Sequence, residues 1–170
     1  EACYNRVLLS NVLAGENAEA DLDMLGTQAD PAPRFVTGTR IASIDSAARV
    51  AHSEDGEAFP YDKLVLATGA DVARPQVDCD GVAGVHAFRS LSDTRTLRAL
   101  AGQGKRAVGV GGGLLGLEAA HGLNSLGFTT TVIHRNRALM NRQLDSEGAL
   151  YLQRELASRG MQFRLGRQVA

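Results

Sequence analysis

The chain has 170 residues, with 18 Lys and Arg against 19 Asp and Glu, so its formal net charge is -1. That balance gives no electrostatic footprint for nucleic acid or for an anionic membrane surface. An apolar fraction of 44% with 19 glycines is globular composition rich in tight turns, and no apolar run approaches a membrane span.

Val7 to Ala14 is a short apolar run in which Ser10 is expected to cap a helix over Asn11 to Ala14. Gly15 to Pro33 is polar, ends in Ala29-Asp30-Pro31-Ala32-Pro33 and reads as a surface loop. Period-two patterns predict short strands at Phe35 to Val36, Arg40 to Ile44, Arg49 to His52 and from Ala58 to Pro60. Glu54-Asp55-Gly56 predicts a hairpin turn. Leu64 to Ala67 has the pattern of a buried strand, broken at Thr68-Gly69-Ala70. Together these predict a small antiparallel meander feeding one strand of a larger sheet.

Arg74, Pro75 and Val77 to Gly84 read as a crossing segment. Ser90 to Ala101 has helical character, with Ser92 as the expected N-cap. The second half alternates strand and helix: strand Ala107 to Val110, helix Leu114 to Leu126 ended by Gly127, strand Thr129 to Ile133, helix Ser146 to Ser158, strand Met161 to Leu165. That order is the mononucleotide-binding unit of a parallel sheet. The fold class expected is α/β: a Rossmann-like parallel sheet with an antiparallel β-meander.

Cys3 and Cys79 are far apart and form no CxxC pair, which argues against a thioredoxin-type dithiol. Both are expected to be free thiols in a cytoplasmic protein, and no signal-peptide pattern is visible. The chain begins at Glu1 without a start methionine or a first strand and stops just after a strand pattern, which reads as a fragment.

The chemistry-bearing motif is G-x-G-x-x-G at Gly111, Gly113 and Gly116, followed by Leu117 and Glu118. Alone the pattern is weak; between a predicted strand and a predicted helix it is a dinucleotide fingerprint. Gly111 allows the tight turn, Gly113 lets a pyrophosphate approach the backbone, and Gly116 lets the helix pack closely. The helix N-terminus then offers unpaired N–H groups to phosphates. An acidic residue for the ribose hydroxyls should end the next strand, but His134 stands there. Arg135, Arg137 and Arg142 follow, either as a solvated face or as a phosphate site. Thr68-Gly69 is a softer signal for close backbone approach to a ligand.

These features resemble the pyridine nucleotide-disulfide oxidoreductase superfamily, and within it the FAD/NAD(P)-binding region of the NAD(P)H-dependent nitrite reductase large subunit. The resemblance rests on Tyr4-Asn5-Arg6-Val7-Leu8-Leu9-Ser10 with Val12-Leu13-Ala14-Gly15, and on Tyr61 to Gly69. It continues through Gly111 to Ala120, His134, and Leu139-Met140-Asn141-Arg142-Gln143-Leu144-Asp145. It implies a fragment of a two-dinucleotide-binding flavoprotein: a partial FAD-binding domain over 1–78, a crossing segment and helix over 79–104, and a partial NAD(P)-binding domain over 105–170.

By the same resemblance Arg6, Thr68 and Gly69 would contact FAD, with Ile41 beside its adenine. Gly111, Gly113, Leu114, Leu115 and Gly116 would hold the NAD(P)H pyrophosphate, Glu118 would face the nicotinamide, and a histidine such as His134 is tolerated after the second strand; from the residues themselves, His134 can hydrogen-bond the ribose and Arg135 can pair with a 2′-phosphate. No acid-base residue and no metal ligand is expected in the chain. The implied reaction is hydride transfer from NAD(P)H to flavin. The family's first glycine motif is absent from residues 1–170, so the chain alone is expected to bind FAD poorly.

In the nitrite reductase reading, a 4Fe-4S cluster and sirohaem belong to other parts of the parent protein. A small subunit or an electron-acceptor domain is the partner. The rival readings are a ferredoxin or rubredoxin reductase, an NADH oxidase-like flavoprotein, and a nucleotide-binding module without turnover.

Overall fold

The computed structural model describes residues 3–24, 33–72, 79, 81–102 and 106–169. The chain divides into two compact units, Glu1–Tyr4 with Asp23–Asp71, and Asn5–Leu22 with Val72–Ala170. The second unit thus includes an early segment of the chain.

In the first unit β1 (Ile41–Asp45), β2 (Val50–Ser53) and β3 (Ala58–Pro60) form an antiparallel sheet in that order. The first turn is tied by the Asp45 carboxylate, which accepts from the amides of Ala47 at 2.9 Å and Ala48 at 2.8 Å. In the second turn the Ser53 hydroxyl donates to Asp55 and accepts from the Glu57 amide at 2.9 Å. These are local side-chain bonds that compete well with extended structure and so mark where the strands stop.

Two strand expectations fail in this unit. Phe35 and Val36 form no strand, and both are exposed. Leu64 to Ala67 is irregular rather than a buried strand, with Val65 83% and Leu66 69% exposed. Apolar alternation and apolar runs report a preference for burial, whereas a strand also needs a neighbour for its backbone groups. The described strands of this unit pair only with one another.

In the second unit β4 (Arg106–Val110), β5 (Thr129–His134) and β6 (Gln162–Leu165) form a parallel sheet, as the strand-helix alternation predicts. Gly109 lies opposite Val132, and Val132 opposite Phe163. The helices α3 (Leu114–Ser125) and α4 (Ser146–Ser158) are the crossovers. Leu117, Ala120, Val132, Leu139 and Met161 form the core, with Leu152, Leu156, Phe163 and Leu165 packed on it. Leu114 and Leu150, on the same helices, are exposed.

The helix α1 (Leu9–Ala14) packs on α3 and on α2 (Leu91–Ala99). Its start differs from expectation. A 3-10 turn at Arg6–Leu8 precedes it, the Asn5 side chain caps that turn by accepting from the Val7 amide, and Ser10 lies inside the helix, buried. Leu9 before Ser10 is already buried, and the cap sits at Asn5, five residues earlier than a lone Ser signal suggests. Leu13 is fully buried against α3 at Gly122, where an added Cβ would stand 2.7 Å from Leu13 Cγ. Burying such a leucine contributes about 1.5–3 kcal/mol.

The cap of α2 is Ser90, not Ser92. The Ser90 hydroxyl accepts from the Asp93 amide at 3.1 Å, and the Asp93 carboxylate accepts from the Ser90 amide at 2.8 Å. This reciprocal box satisfies two helix-end donors at once and outcompetes a single hydroxyl two residues later. Thr94 is then the buried residue behind the cap. The expected loop over Gly15 to Pro33 contains a 3-10 turn at Glu19–Leu22, pinned by the Arg95 guanidinium on Glu19 at 2.8 Å. The remainder of that loop from 25 to 32, and Arg74 to Val77 of the crossing segment, lie outside the described residues.

Candidate dinucleotide-binding site

The glycine motif sits where the sequence puts it, between the end of β4 and the start of α3. Gly111 has φ 123, a conformation that glycine alone adopts without strain. Its amide donates to the Ile133 carbonyl at 2.9 Å, which ties the turn to the end of β5. A Cβ on Gly116 would collide with the Gly111 carbonyl oxygen, so the first turn of α3 rests directly on the loop.

Gly113 is the N-cap of α3 and has no side chain with which to cap it. An added Cβ there would meet nothing within 4 Å. The backbone is therefore open on this side, and the first-turn amides of α3 from Leu114 onward have no capping side chain. Such amides, at the positive end of the helix dipole, attract an anion. Gly113 thus keeps this open space free of a side chain, the room a pyrophosphate approaching these amides would need. Leu114 and Leu115 are both exposed beside it.

Gly112 makes a different contact. An added Cβ would stand 2.7 Å from Cγ and Cδ2 of His134 and 2.9 Å from Leu139 Cδ2. The Cγ–Cδ2 side of the imidazole at the end of β5 therefore packs on the glycine turn. Its Nε2 lies 3.3 Å from Asn141 Oδ1, which also accepts from Asn136 Nδ2 at 3.0 Å. The segment carrying Asn141 is fastened by the Met140 amide, which donates to the Gly112 carbonyl at 2.9 Å. Arg135 is exposed at the start of that segment.

A groove on the same unit gathers Arg6, Ser10, Arg89, Leu115 and Glu118. It brings together Arg6, expected at the flavin, and Glu118, expected at the nicotinamide. Arg89 was not singled out from the sequence. Its signal is the adjoining capping box: the Arg89 amide donates to Asp93 at 3.0 Å, which fixes the backbone that carries the guanidinium. Ile41, Thr68 and Gly69 belong to the first unit. Ile41 opens β1 and is half exposed; Thr68 and Gly69 are exposed and irregular, and Gly69 has φ 81.

Fold and turn geometry are those of a Rossmann-like dinucleotide-binding flavoprotein fragment. The chain belongs to the pyridine nucleotide-disulphide oxidoreductase family, which it matches over residues 1–170. It is 38% identical over 167 residues to a nitrite reductase [NAD(P)H] of Bacillus subtilis, covering 97% of this chain and 21% of that protein. It is 34% identical over 170 residues to the ferredoxin–NAD(+) reductase component of the biphenyl dioxygenase system of Paraburkholderia xenovorans, covering 98% of this chain and 41% of that protein. A ferredoxin reductase structure from Rhodopseudomonas palustris superposes with a TM-score of 0.87 at 26% identity, over 100% of this chain and 43% of that one. The chain thus spans between a fifth and under half of these relatives.

Among the described residues no helix is long and apolar enough to cross a membrane.

Proposed function

We propose that the chain is the electron-input part of an FAD-dependent NAD(P)H oxidoreductase that delivers electrons to an acceptor protein, in the manner of a ferredoxin or rubredoxin reductase. The observation that carries this reading is the open cradle at Gly113, formed by the β4 turn and the uncapped start of α3. Support for the acceptor class comes from the ferredoxin reductase relative and from the ferredoxin reductase structure.

When bound, the two dinucleotides supply the chemistry, a hydride passing from reduced nicotinamide to flavin. The chain's own residues bind and orient. Gly111, Gly113 and Gly116 shape the pyrophosphate cradle, and the amides of Leu114 and Leu115 face it. His134 and Arg135 border the ribose end. In the second unit Arg6 and Arg89 supply positive charge for the flavin; Thr68, Gly69 and Ile41 of the first unit are the flavin contacts that the family resemblance implies. Glu118 lies on the nicotinamide side. No side chain of the chain is assigned a proton-transfer role.

A second reading, the electron-input region of a nitrite reductase large subunit, is favoured by the 38% identity to the Bacillus subtilis protein. In that reading the iron–sulfur cluster and sirohaem lie in other parts of the protein. Anaerobic addition of NADH or NADPH to the full-length, FAD-loaded protein should bleach the flavin absorbance. Reoxidation by ferredoxin or rubredoxin supports the first reading, and reoxidation coupled to nitrite loss supports the second. A flavin unchanged by either nucleotide overturns both.

A further inference from the structure

We infer, on the dinucleotide reading above, that Gly122 is a positioning residue for hydride transfer. Its contact with Leu13 seats α1, which carries the flavin side of the groove, on α3, which carries the nicotinamide side. The alignment of the two sides is set at that contact.

The groove is built from both helices. Arg6, Leu9 and Ser10 come from the 3-10 turn and the start of α1, and Leu115 and Glu118 come from α3. All belong to the second unit. Leu13 stands four residues after Leu9, and Gly122 stands four residues after Glu118. Residues four apart share a helix face. The Leu13–Gly122 contact is therefore on the groove-lining face of each helix, one turn, or about 5.4 Å, further along. A shift there is carried to the groove by two rigid helices.

The contact leaves no room for adjustment. Leu13 is fully buried, and Gly122 is buried too. A Cβ on Gly122 would stand 2.7 Å from Leu13 Cγ, 2.8 Å from Cδ2 and 3.1 Å from Cβ. Carbon atoms ordinarily pack at about 3.5–4.0 Å, so a methyl group would displace Leu13 by roughly 1 Å. Rotating the tip of the side chain does not relieve this, because Cβ is fixed to the backbone of α1. Two ion pairs fasten the chain after α1: Glu16 lies 3.7 Å from His121 on α3, and Glu19 lies 2.8 Å from Arg95 on α2. Both are open to solvent, where such pairs hold little. The buried contact decides where α1 sits.

Hydride transfer breaks a C–H bond of the dihydronicotinamide and forms an N–H bond of the flavin. Two electrons move with the hydrogen, so the nicotinamide is oxidised, the flavin is reduced and no other reactant is needed. Such a step tolerates little misplacement of the two partners, and an error of about 1 Å can cost roughly a hundredfold. Binding is more tolerant, since each side of the groove keeps its own residues.

The test is Gly122→Ala in the full-length, FAD-loaded protein, mixed anaerobically with NADH and with NADPH in a stopped-flow spectrophotometer. The saturating rate of flavin reduction should fall roughly tenfold or more, while nucleotide dissociation constants change by less than about threefold. Crystal structures of parent and variant should show α1 shifted on α3 by roughly 1 Å. Adding Leu13→Ala removes the colliding Cγ and Cδ2, and the double variant should be at least about threefold faster than Gly122→Ala. Should Gly122→Ala not fold, Leu13→Ala carries the test: its cavity loosens the seat and slows reduction, and the added alanine methyl of the double variant should restore part of the rate. A reduction rate within about twofold of the parent in folded Gly122→Ala, an unshifted α1, or a double variant no faster than its slower single overturns the inference and leaves the dinucleotide site standing. A parent protein whose flavin neither nucleotide reduces overturns both together.

Discussion

The hydrogen atom that Gly116 carries in place of a side chain faces the carbonyl oxygen of Gly111. One contact thereby sets both the shape of the turn and the seat of α3. Gly116→Ala should force the helix off the turn, and overpacking of this kind costs about 1–3 kcal/mol. Urea denaturation should show the lower midpoint, and nucleotide affinity should fall with it because the cradle is displaced. An unaltered midpoint would mean that the turn yields freely.

Gly113 separates ligand binding from folding. Its φ of -87 suits any residue, and an added Cβ enters open space. Gly113→Ala therefore gains from a less flexible unfolded chain and loses some N-cap preference, each by about 1 kcal/mol or less. Stability should barely change. The methyl group would stand in the space assigned to the pyrophosphate, so NAD(P)H should bind roughly tenfold more weakly or worse, about 1.4 kcal/mol. Full affinity in a stable Gly113→Ala protein would remove the pyrophosphate from this turn.

Gly122 and Leu13 make a complementary pair across α3 and α1. Leu13→Ala should cost about 2–5 kcal/mol through the cavity it leaves. Gly122→Ala should cost about 1–3 kcal/mol through the clash with Leu13. Because the alanine methyl enters the space that Leu13 vacates, the double variant should lose less than the sum of the two. Strict additivity in thermal denaturation would show that the helices move apart instead.

The Arg95 guanidinium, bonded to Glu19, holds that carboxyl below its ordinary value. A carboxylate with a lowered folded pKa adds stability that is fully present above its unfolded value and is lost as pH falls through the folded one. Glu19→Gln should thus be less stable than the parent near neutrality, with the difference closing below about pH 4.5, the ordinary value. Melting temperatures across that range test it; a gap that persists in acid would assign the loss to packing.

The second half of the chain was legible because each signal there is local. Strand, glycine turn and helix lie within eleven residues from Arg106 to Gly116, and no distant partner is needed to read them. The same holds for α4, whose predicted span from Ser146 to Ser158 matches the structure. Leu64 to Ala67 failed for the opposite reason: an apolar run does not say which strand will pair with it. Ser92 failed because Ser90 with Asp93 is a two-residue device, and reading hydroxyls singly overlooks it. At the site, Arg89 and Asn141 stayed hidden because their positions depend on contacts that close only in three dimensions, with Arg6 and Glu118 in one case and with His134 in the other.

Coenzyme preference can be tested at the exposed arginines after β5. A strand-end carboxylate would favour NADH by bonding the 2′-hydroxyl and repelling a 2′-phosphate. His134 removes that repulsion, and Arg135 and Arg137 are both exposed immediately after it. A guanidinium can fork onto a phosphate, which points toward NADPH. Against this, no charge in the segment is committed to a buried geometry, and an exposed pair with a ligand phosphate is weakened by solvent and salt. The expected outcome is weak discrimination, with both cofactors used and NADH slightly preferred on the family resemblance alone. Steady-state kinetics with each cofactor should show less than about 100-fold difference in kcat/KM, roughly 2.7 kcal/mol. A larger preference in either direction would refute weak discrimination. Arg135→Ala and Arg137→Ala then identify the phosphate partner, since the residue that holds it should lose NADPH use selectively and become less sensitive to added salt. If neither substitution changes the ratio, the arginines are a solvated face.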